Sequence, residues 1–387
     1  MTGIVIVGAG HGGVQLAASL RDAGYCKDIR LLSSDPDFPY HKPPLSKSFM
    51  KADDVALQPL RGEVFFEQNS INLKLGTNVE RIDRNTKSVH CSGGVVFDYS
   101  ILVLATGTRA RTLTITGADL AGVHTLRTAA DARTMREALP SMKRVVVIGG
   151  GFIGLEAAAM LSAHGIEVDV VEVAERLLGR ATSEVIAAKI ADYLSSTGVT
   201  LHLGQSVEAV LGTAAHVTGV QLSNCSIPAD HVLVGIGAIA MDELAREAGL
   251  LTDNGIVVDG FLATNDPDIF ALGDCVSFPQ VHSDRLTRLE SVQNATDQAR
   301  ALALTLTGQP TRYSSLPWFW SDIGNLKLQI AGLSNNPDEL IQTFDPEGAL
   351  KSVYHLKSGR LTACETLNSG GEHMLSRRMI SEGITPT

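Results

Sequence analysis

The chain has 387 residues, of which 44% are apolar, so it is long enough to form two or three domains that each have a core. Lys and Arg number 32 and Asp and Glu number 42, and the resulting net charge of −10 argues against non-specific binding to nucleic acid or to an anionic membrane. The longest apolar runs have the length of strands and are too short for a spanning helix, so we expect no membrane segment.

The N-terminus and the cysteines indicate the compartment. A strand-like run begins at Gly3, which leaves no room for a signal peptide, so we expect a cytoplasmic protein. The cysteines are odd in number and include no C-x-x-C pair; they are Cys26, Cys91, Cys225, Cys275 and Cys364. This pattern predicts neither a disulfide framework nor a metal site.

The first predicted elements form a strand–helix–strand unit. Residues 3–7 form a β-branched run that enters a Gly-rich turn, apolar residues then recur at helical spacing, and Ile29–Leu32 forms a second strand. The same order returns about 140 residues later, beginning with Arg144–Ile148, and such a repeat is typical of two Rossmann-like units.

Short alternating segments follow each unit. Residues 87–91 and 95–97 predict a small hairpin, and residues 207–211 and 217–222 repeat that pattern. Beyond residue 310, alternating segments and a final helix near 372–380 predict a separate α+β domain.

The first glycine-rich turn, residues 8–13, has the sequence GAGHGG of a dinucleotide-binding fingerprint. Gly8 permits the tight turn, Gly10 lets the backbone approach a pyrophosphate, and Gly13 lets the helix pack on the strand. His11 is a side chain of this loop. The acid expected to bind a ribose is Asp35, although a solvated turn residue is the alternative.

The second fingerprint, GGGFIG at residues 149–154, precedes a strand that ends at Glu172. An acid at that position accepts hydrogen bonds from an adenine ribose and repels a 2′-phosphate, so it favours NADH over NADPH. Arg176 and Arg180 lie nearby and could weaken that preference. Two dinucleotide sites in one chain indicate hydride transfer from a nicotinamide to a flavin.

Five motifs, one of which extends the second fingerprint, carry a resemblance to a known family. They are PPLSK at 43–47, ATG at 105–107, GGGFIGLE at 149–156, ALGDC at 271–275 and PWFWS at 317–321. Together they resemble the FAD-dependent NADH:ferredoxin reductases that serve cytochrome P450 and aromatic-ring dioxygenase systems, and the likeness covers nearly the whole chain.

The resemblance implies an α/β fold of the glutathione-reductase type, with two Rossmann-like domains and a C-terminal α+β domain. Residues 1–109 and 243–313 would form the FAD-binding domain, residues 110–242 the NADH-binding domain, and residues 314–387 the C-terminal domain.

The resemblance also implies a set of cofactor-binding residues. FAD would be bound by Gly8, Gly10, His11, Gly13, Ser34, Asp35, Pro44, Lys47, Thr106, Gly107, Arg109, Gly273, Asp274, Val292 and Trp320. NADH would be bound by Gly149, Gly151, Phe152, Ile153, Gly154, Glu172, Arg180 and Gly237. Besides Asp35, two of these residues have alternative roles: Asp274 could be a helix cap, and Val292 could begin an ordinary amphipathic helix. The motif after Gly237 departs from the family's pattern.

Lys47 and Glu156 are the predicted catalytic residues. In the family the matching lysine lies beside flavin N5 and pairs with the matching glutamate, and a cation there stabilises the charge that builds up as the flavin takes hydride. Either residue alone would be read as a surface side chain. Trp320 is expected at the flavin, and Trp318 in the core or at the partner surface.

The expected electron acceptor is a 2Fe–2S ferredoxin. Disulfide reductases need a cysteine pair beside the flavin, and residues 40–42 are Tyr-His-Lys. One alternative is that the acceptor is a rubredoxin. The other is that the chain itself is a redox-responsive binding flavoprotein resembling apoptosis-inducing factor. Candidates for a basic docking rim are Arg285, Arg288, Arg377 and Arg378, with solvated surface charge as their other reading. We expect a monomer or weak homodimer.

Overall fold

The structure is a computed structural model that describes residues 3–50, 55–283, 285–334 and 336–385. The strands are β1 (Ile4–Val7), β2 (Ile29–Leu32), β3 (Ile71–Lys74), β4 (Val79–Asp83), β5 (Ser88–Cys91), β6 (Val96–Asp98), β7 (Ile101–Leu104), β8 (Thr108–Ala110), β9 (Val123–His124), β10 (Arg144–Ile148), β11 (Glu167–Glu172), β12 (Val199–Leu203), β13 (Val207–Thr213), β14 (His216–Leu222), β15 (Ser226–Pro228), β16 (His231–Val234), β17 (Ala238–Ala240), β18 (Ile256–Val257), β19 (Ile269–Ala271), β20 (Val276–Pro279), β21 (Leu286–Thr287), β22 (Trp318–Ile323), β23 (Leu326–Gly332), β24 (Glu339–Phe344), β25 (Leu350–Lys357) and β26 (Arg360–Leu367).

The α-helices are α1 (His11–Asp22), α2 (Glu63–Gln68), α3 (Ala129–Ala138), α4 (Phe152–Ala163), α5 (Glu184–Ser196), α6 (Glu243–Glu247), α7 (Val292–Leu306) and α8 (Gly370–Glu382). Short 3₁₀ segments lie at Pro43–Ser46, Ser48–Met50, Ser92–Gly94, Leu139–Ser141 and Gly273–Cys275.

The chain divides into two compact units. The first comprises Met1–His41, Leu57–Arg109 and Ala240–Phe319. Its main sheet is parallel, with the strand order β19-β7-β1-β2-β3. The hairpin predicted at residues 87–91 and 95–97 is formed by β5 and β6, and β4 pairs with β5 to complete an antiparallel meander. All four residues of β1 are buried, as expected for a central strand of a parallel sheet, so β-branched residues fill both of its faces. This sheet presents the first glycine loop at the carboxyl end of β1.

The second unit comprises Lys42–Ala56, Ala110–Ile239 and Trp320–Thr387. Its parallel sheet has the order β12-β11-β10-β16-β9, and β13-β14-β15 form its antiparallel meander. In the C-terminal antiparallel sheet, β23, β26, β25 and β24 follow one another, and α8 packs on β23 and β26. The second glycine loop follows β10, the central strand.

The predicted fold class is confirmed, because both parallel sheets have the Rossmann-like arrangement and the C-terminal sheet is antiparallel. The division into three domains at residues 109/110, 242/243 and 313/314 stays a prediction. Within the described ranges, the helices are all too short or too polar to cross a membrane.

Candidate functional site

The first glycine loop has no space for a side chain at its two end glycines but has open space at its middle glycine. Gly8 has φ +110°, and a Cβ there would lie 2.2 Å from the carbonyl oxygen of Ala105, so the tight turn requires glycine. A Cβ on Gly13 would lie 1.9 Å from the oxygen of Gly8. At Gly10, by contrast, a Cβ would meet nothing within 4 Å. The space is therefore left at the position where a pyrophosphate approaches the backbone.

Helix α1 begins directly at this space. Gly10 is its N-cap and supplies no side-chain cap. The first-turn N–H groups of a helix have no intrahelical partners and lie at the positive end of the helix dipole, which is the arrangement that binds phosphate. The loop fits the pyrophosphate of a dinucleotide.

The second glycine loop repeats this geometry. Gly149 has φ +107°, and a Cβ on Gly149 or Gly154 would lie 2.5 Å from a carbonyl oxygen, of Gly235 and of Gly149 respectively. A Cβ on Gly151 would have its nearest neighbour at 3.8 Å, an ordinary contact. Gly151 is the N-cap of α4 and supplies no side-chain cap, so this loop also fits a pyrophosphate.

Glu172 lies beside the second loop at the end of β11. Its carboxylate accepts hydrogen bonds from the N–H of Gly150 at 2.6 Å and of Ala174 at 2.8 Å. These bonds fix the Glu172 carboxylate at the position where it would accept hydrogen bonds from an adenine ribose. The guanidinium of Arg176 donates to backbone carbonyls of Thr182 and Gly179.

The remaining residues predicted for NADH also lie in the second unit. Phe152 and Ile153 form the first turn of α4, and Ile153 is 40% exposed. Arg180 is exposed, and Gly237, with φ +100°, has open space around its Cβ position.

Asp35 follows β2, and its carboxylate already has two partners. It accepts hydrogen bonds from the N–H of Asp37 at 3.0 Å and from the hydroxyl of Tyr40 at 2.9 Å. Ser34, the preceding residue, is exposed. A carboxylate has more acceptor sites than these two bonds occupy. The geometry is therefore compatible both with Asp35 binding a ribose and with Asp35 being a solvated turn residue.

Three further residues predicted for FAD lie in the first unit, Thr106 and Gly107 on a loop and Arg109 on β8. The Thr106 hydroxyl donates to the carbonyl of Met241 at 2.6 Å, and Gly107 has φ +70° with open space at its Cβ position. Arg109 pairs with Glu243 at 2.5 Å. Burial disfavours the Glu243 carboxylate, but its own backbone N–H and Arg109 outweigh this and lower its pKa.

Gly273, Asp274 and Val292 complete the predicted FAD set of this unit. The N–H of Gly273 donates to the side-chain oxygen of Gln298 at 2.7 Å, and Asp274 follows in the same 3₁₀ segment. Val292 is the first residue of α7, whose N-cap is Ser291. The backbone of Gly273 is therefore held by a side chain of α7.

Lys47 and Glu156 are in direct contact in the second unit. The Lys47 ammonium lies 2.8 Å from Oε2 of Glu156, and the exposed fractions of the two side chains are 22% and 7%. Glu156 sits on α4, the helix that begins at the second glycine loop. The structure thus brings the two predicted catalytic residues together from distant parts of the chain.

The segment that carries Lys47 is held by its backbone and by α3. Lys47 donates its N–H to the carbonyl of Pro44, closing the 3₁₀ turn that begins at Pro43. The guanidinium of Arg136 stacks on the ring of Phe49 at 4.1 Å from its centroid and donates to the carbonyl of Val55. These contacts fix the position from which the Lys47 side chain extends.

Three donors to Glu156 were missed by the sequence reasoning. They are the hydroxyls of Ser46 and Ser321 and the N–H of Asp322. Ser46 and Ser321 belong to the PPLSK and PWFWS motifs, which was the available signal, but no pattern in the sequence places them on one carboxylate.

The two tryptophans lie on β22 and are both half-buried. The N–H of Trp318 donates to the side-chain oxygen of Gln293 at 3.1 Å. In β22 alternate residues face opposite sides, so Trp320 lies on the face opposite to the buried Ser321. The flavin contact of Trp320 stays a prediction.

The cysteines are free: Cys91, Cys275 and Cys364 are buried, and Cys26 and Cys225 are exposed. Burial raises the pKa of the Cys275 thiol, which favours its protonated, unreactive form. In the described ranges no cluster of metal-ligating side chains occurs.

Two matches to known protein families together cover nearly the whole chain. Residues 2–299 match the family described as pyridine nucleotide-disulphide oxidoreductase, and residues 318–387 match a reductase C-terminal domain. The chain belongs to this family. Its predicted oxidoreductase activity with FAD and NADH is thereby confirmed, although its cysteines do not form the redox pair to which the family description refers.

Individual relatives of this oxidoreductase extend over nearly all of its length. A rhodocoxin reductase of Rhodococcus erythropolis is 40% identical over 98% of this chain and 89% of its own. A rubredoxin–NAD(+) reductase of Pseudomonas putida is 39% identical over 94% and 95% of the two chains. The crystal structure of the ferredoxin reductase for the CYP199A2 system from Rhodopseudomonas palustris superposes with a TM-score of 0.97 at 40% identity, covering 100% and 96%. The resemblance to the ferredoxin reductases is confirmed.

Proposed function

We propose that this chain takes hydride from NADH with FAD as its acceptor and passes single electrons to a 2Fe–2S ferredoxin that serves a cytochrome P450 or a dioxygenase. The observation that carries the proposal is the buried Glu156 carboxylate paired with Lys47 in a chain whose cysteines are scattered and free. A cation held at a fixed point suits hydride transfer, whereas disulfide chemistry would need two thiols side by side.

The residues of this chain divide the work. The N-terminus of α1 binds the FAD pyrophosphate, with Asp35 at the ribose, and the N-terminus of α4 binds NADH, with Glu172 at its ribose. FAD, when bound, supplies the change from a two-electron donor to one-electron steps. Lys47 keeps its ammonium at the point where Glu156 holds it, so the positive charge needs no rearrangement during the reaction.

The acceptor is inferred from relatives of known name. The Rhodopseudomonas palustris protein is a ferredoxin reductase of the CYP199A2 system, which favours a ferredoxin and a cytochrome P450. The rubredoxin–NAD(+) reductase is almost as similar, so rubredoxin is the second candidate. We further propose a cytoplasmic monomer or weak homodimer with the three-domain division predicted from the sequence.

The predicted basic rim is only partly available for docking. Arg288 is 12% exposed and pairs with Glu290 at 2.6 Å. Arg378 is 74% exposed and pairs with Glu382 at 2.9 Å, and Arg285 is exposed. We propose Arg378 as a docking charge, because an exposed ion pair is weak enough to exchange its partner.

The test is ferredoxin-dependent reduction of cytochrome c by NADH. Purified holoprotein is mixed with NADH, cytochrome c and either a 2Fe–2S ferredoxin or a rubredoxin from the same genome. We expect fast turnover with ferredoxin and little without a carrier. Fast turnover only with rubredoxin would replace the ferredoxin by the second candidate, and slow turnover with both carriers would refute the proposed function.

A further inference from the structure

The carboxylate of Glu156 accepts more hydrogen bonds than an ion pair with Lys47 requires. Its Oε2 receives the Lys47 ammonium at 2.8 Å and the Ser46 hydroxyl at 2.7 Å. Its Oε1 receives the Ser321 hydroxyl at 2.6 Å and the N–H of Asp322 at 3.2 Å. Each oxygen therefore has two donors, and the side chain is only 7% exposed.

The donors to Glu156 differ in the hydrogen bonds that they can make. An ammonium and a backbone N–H can only donate, whereas a hydroxyl can donate as well as accept. The four donors occupy both oxygens of the carboxyl group, and the Lys47 ammonium is held at one of them.

The two oxygens have different roles. Lys47 and Ser46 are neighbours on one segment and hold only Oε2, and the terminal torsion of a glutamate is broad enough for Oε1 to swing. Ser321 comes from β22, 165 residues from Glu156 in sequence, and it bonds Oε1 from a buried position. Ser321 is thus the side chain that fixes the plane of the carboxylate.

We propose that Ser321 is a positioning residue for flavin reduction: its hydroxyl orients the Glu156 carboxylate, and Glu156 in turn fixes the Lys47 ammonium. The proposal rests on the proposed function, because it assumes that Lys47 acts during reduction by NADH. It adds the C-terminal strand β22 to the machinery of that step.

The test compares Ser321→Ala and Ser321→Cys with Ser321→Thr, which keeps a hydroxyl. Ser352→Ala is the matched control, because Ser352 is also fully buried in the C-terminal sheet and its hydroxyl bonds Thr343 rather than Glu156. Two quantities are measured: the rate of FAD bleaching over a range of NADH concentrations, which separates the limiting rate from the apparent Kd for NADH, and the visible spectrum of oxidised bound FAD without NADH. The second does not depend on activity.

We expect Ser321→Ala and Ser321→Cys to retain FAD and to be reduced about tenfold more slowly at saturating NADH with an unchanged apparent Kd for NADH, because the Glu156 carboxylate has lost the donor that orients it. The spectrum of bound FAD should also shift, because the Lys47 ammonium is no longer fixed. Ser321→Thr should restore the rate and the spectrum, and Ser352→Ala should match the wild type.

A wild-type rate in both Ser321→Ala and Ser321→Cys would overturn the inference, and so would a slower rate with an unchanged spectrum of bound FAD. If Ser321→Ala does not fold, Ser321→Cys decides the matter alone. A wild-type protein that NADH cannot reduce would refute the proposed function instead, so the two failures are distinguishable.

Discussion

The middle glycine of each loop can be tested without disturbing the fold. Gly151 has φ −87° and ψ 172°, which alanine adopts freely, and the nearest atom to the added methyl would be 3.8 Å away. The Gly151→Ala protein should therefore be as stable as the wild type or slightly more so, by up to about 1 kcal/mol, because alanine restricts the unfolded chain. The methyl fills only the space assigned to the NADH pyrophosphate.

The effect on cofactor binding follows from that position. A methyl group forced into a packed contact costs about 1–3 kcal/mol, which corresponds to a roughly 5- to 150-fold weaker interaction with NADH. We expect Gly151→Ala to remain yellow with bound FAD and to show a raised KM for NADH. The reciprocal variant, Gly10→Ala, has open space at its methyl position and should fold but purify with little FAD.

Thermal unfolding, the FAD content of the purified protein and NADH titration give the three readouts. Gly154→Ala is the contrasting variant, because its Cβ would lie 2.5 Å from the oxygen of Gly149 and should destabilise the fold itself. If Gly151→Ala lost FAD and kept its affinity for NADH, the assignment of the two loops would be reversed. If it affected neither cofactor, the reasoning from the open Cβ position would be refuted.

Three other perturbations have outcomes that the structure specifies. Lys47→Met keeps the apolar stem but removes the ammonium, so flavin reduction by NADH should slow by about 10²-fold while FAD remains bound, and an unchanged stopped-flow rate would remove Lys47 from the mechanism. Glu172→Gln removes the charge that repels a 2′-phosphate, so the ratio of kcat/KM for NADH over NADPH should fall, and an unaltered ratio would assign ribose recognition elsewhere. Burial, together with the neighbouring His231, lowers the pKa of His124 to about 4. The neutral His124 ring therefore stabilises the fold at pH values above 6.5, the pKa of the residue in the unfolded chain. This contribution of up to about 3 kcal/mol to the free energy of unfolding is lost as the pH falls toward 4. Urea unfolding should show a smaller acid-side loss for His124→Phe than for the wild type, and equal losses would contradict the assignment.

The sequence predicted most of the fold because the fold depends on local patterns. The β-branched runs at Ile4–Val7 and Arg144–Ile148 became central parallel strands, and both glycine fingerprints became strand-to-helix turns. The meanders and the C-terminal antiparallel sheet also follow from alternation and turn residues. Each of these signals lies within about 15 residues, which is the scale that periodicity describes.

The details of the site depend on contacts between distant segments, and no local pattern encodes them. Ser46 and Ser321 lie 110 and 165 residues from Glu156 in sequence, yet both hydroxyls reach its carboxylate. The two bonds that Asp35 accepts from Tyr40 and Asp37 were equally unforeseen, because side-chain direction in a turn is set by packing.

Anaerobic stopped-flow mixing of the purified yellow protein with NADH shows whether one chain holds both FAD and the site from which NADH reduces it. We expect rapid and complete bleaching of the visible FAD absorption, with much slower bleaching by the same concentration of NADPH. Protein that purifies without FAD, or FAD that stays oxidised in excess NADH, would contradict this expectation.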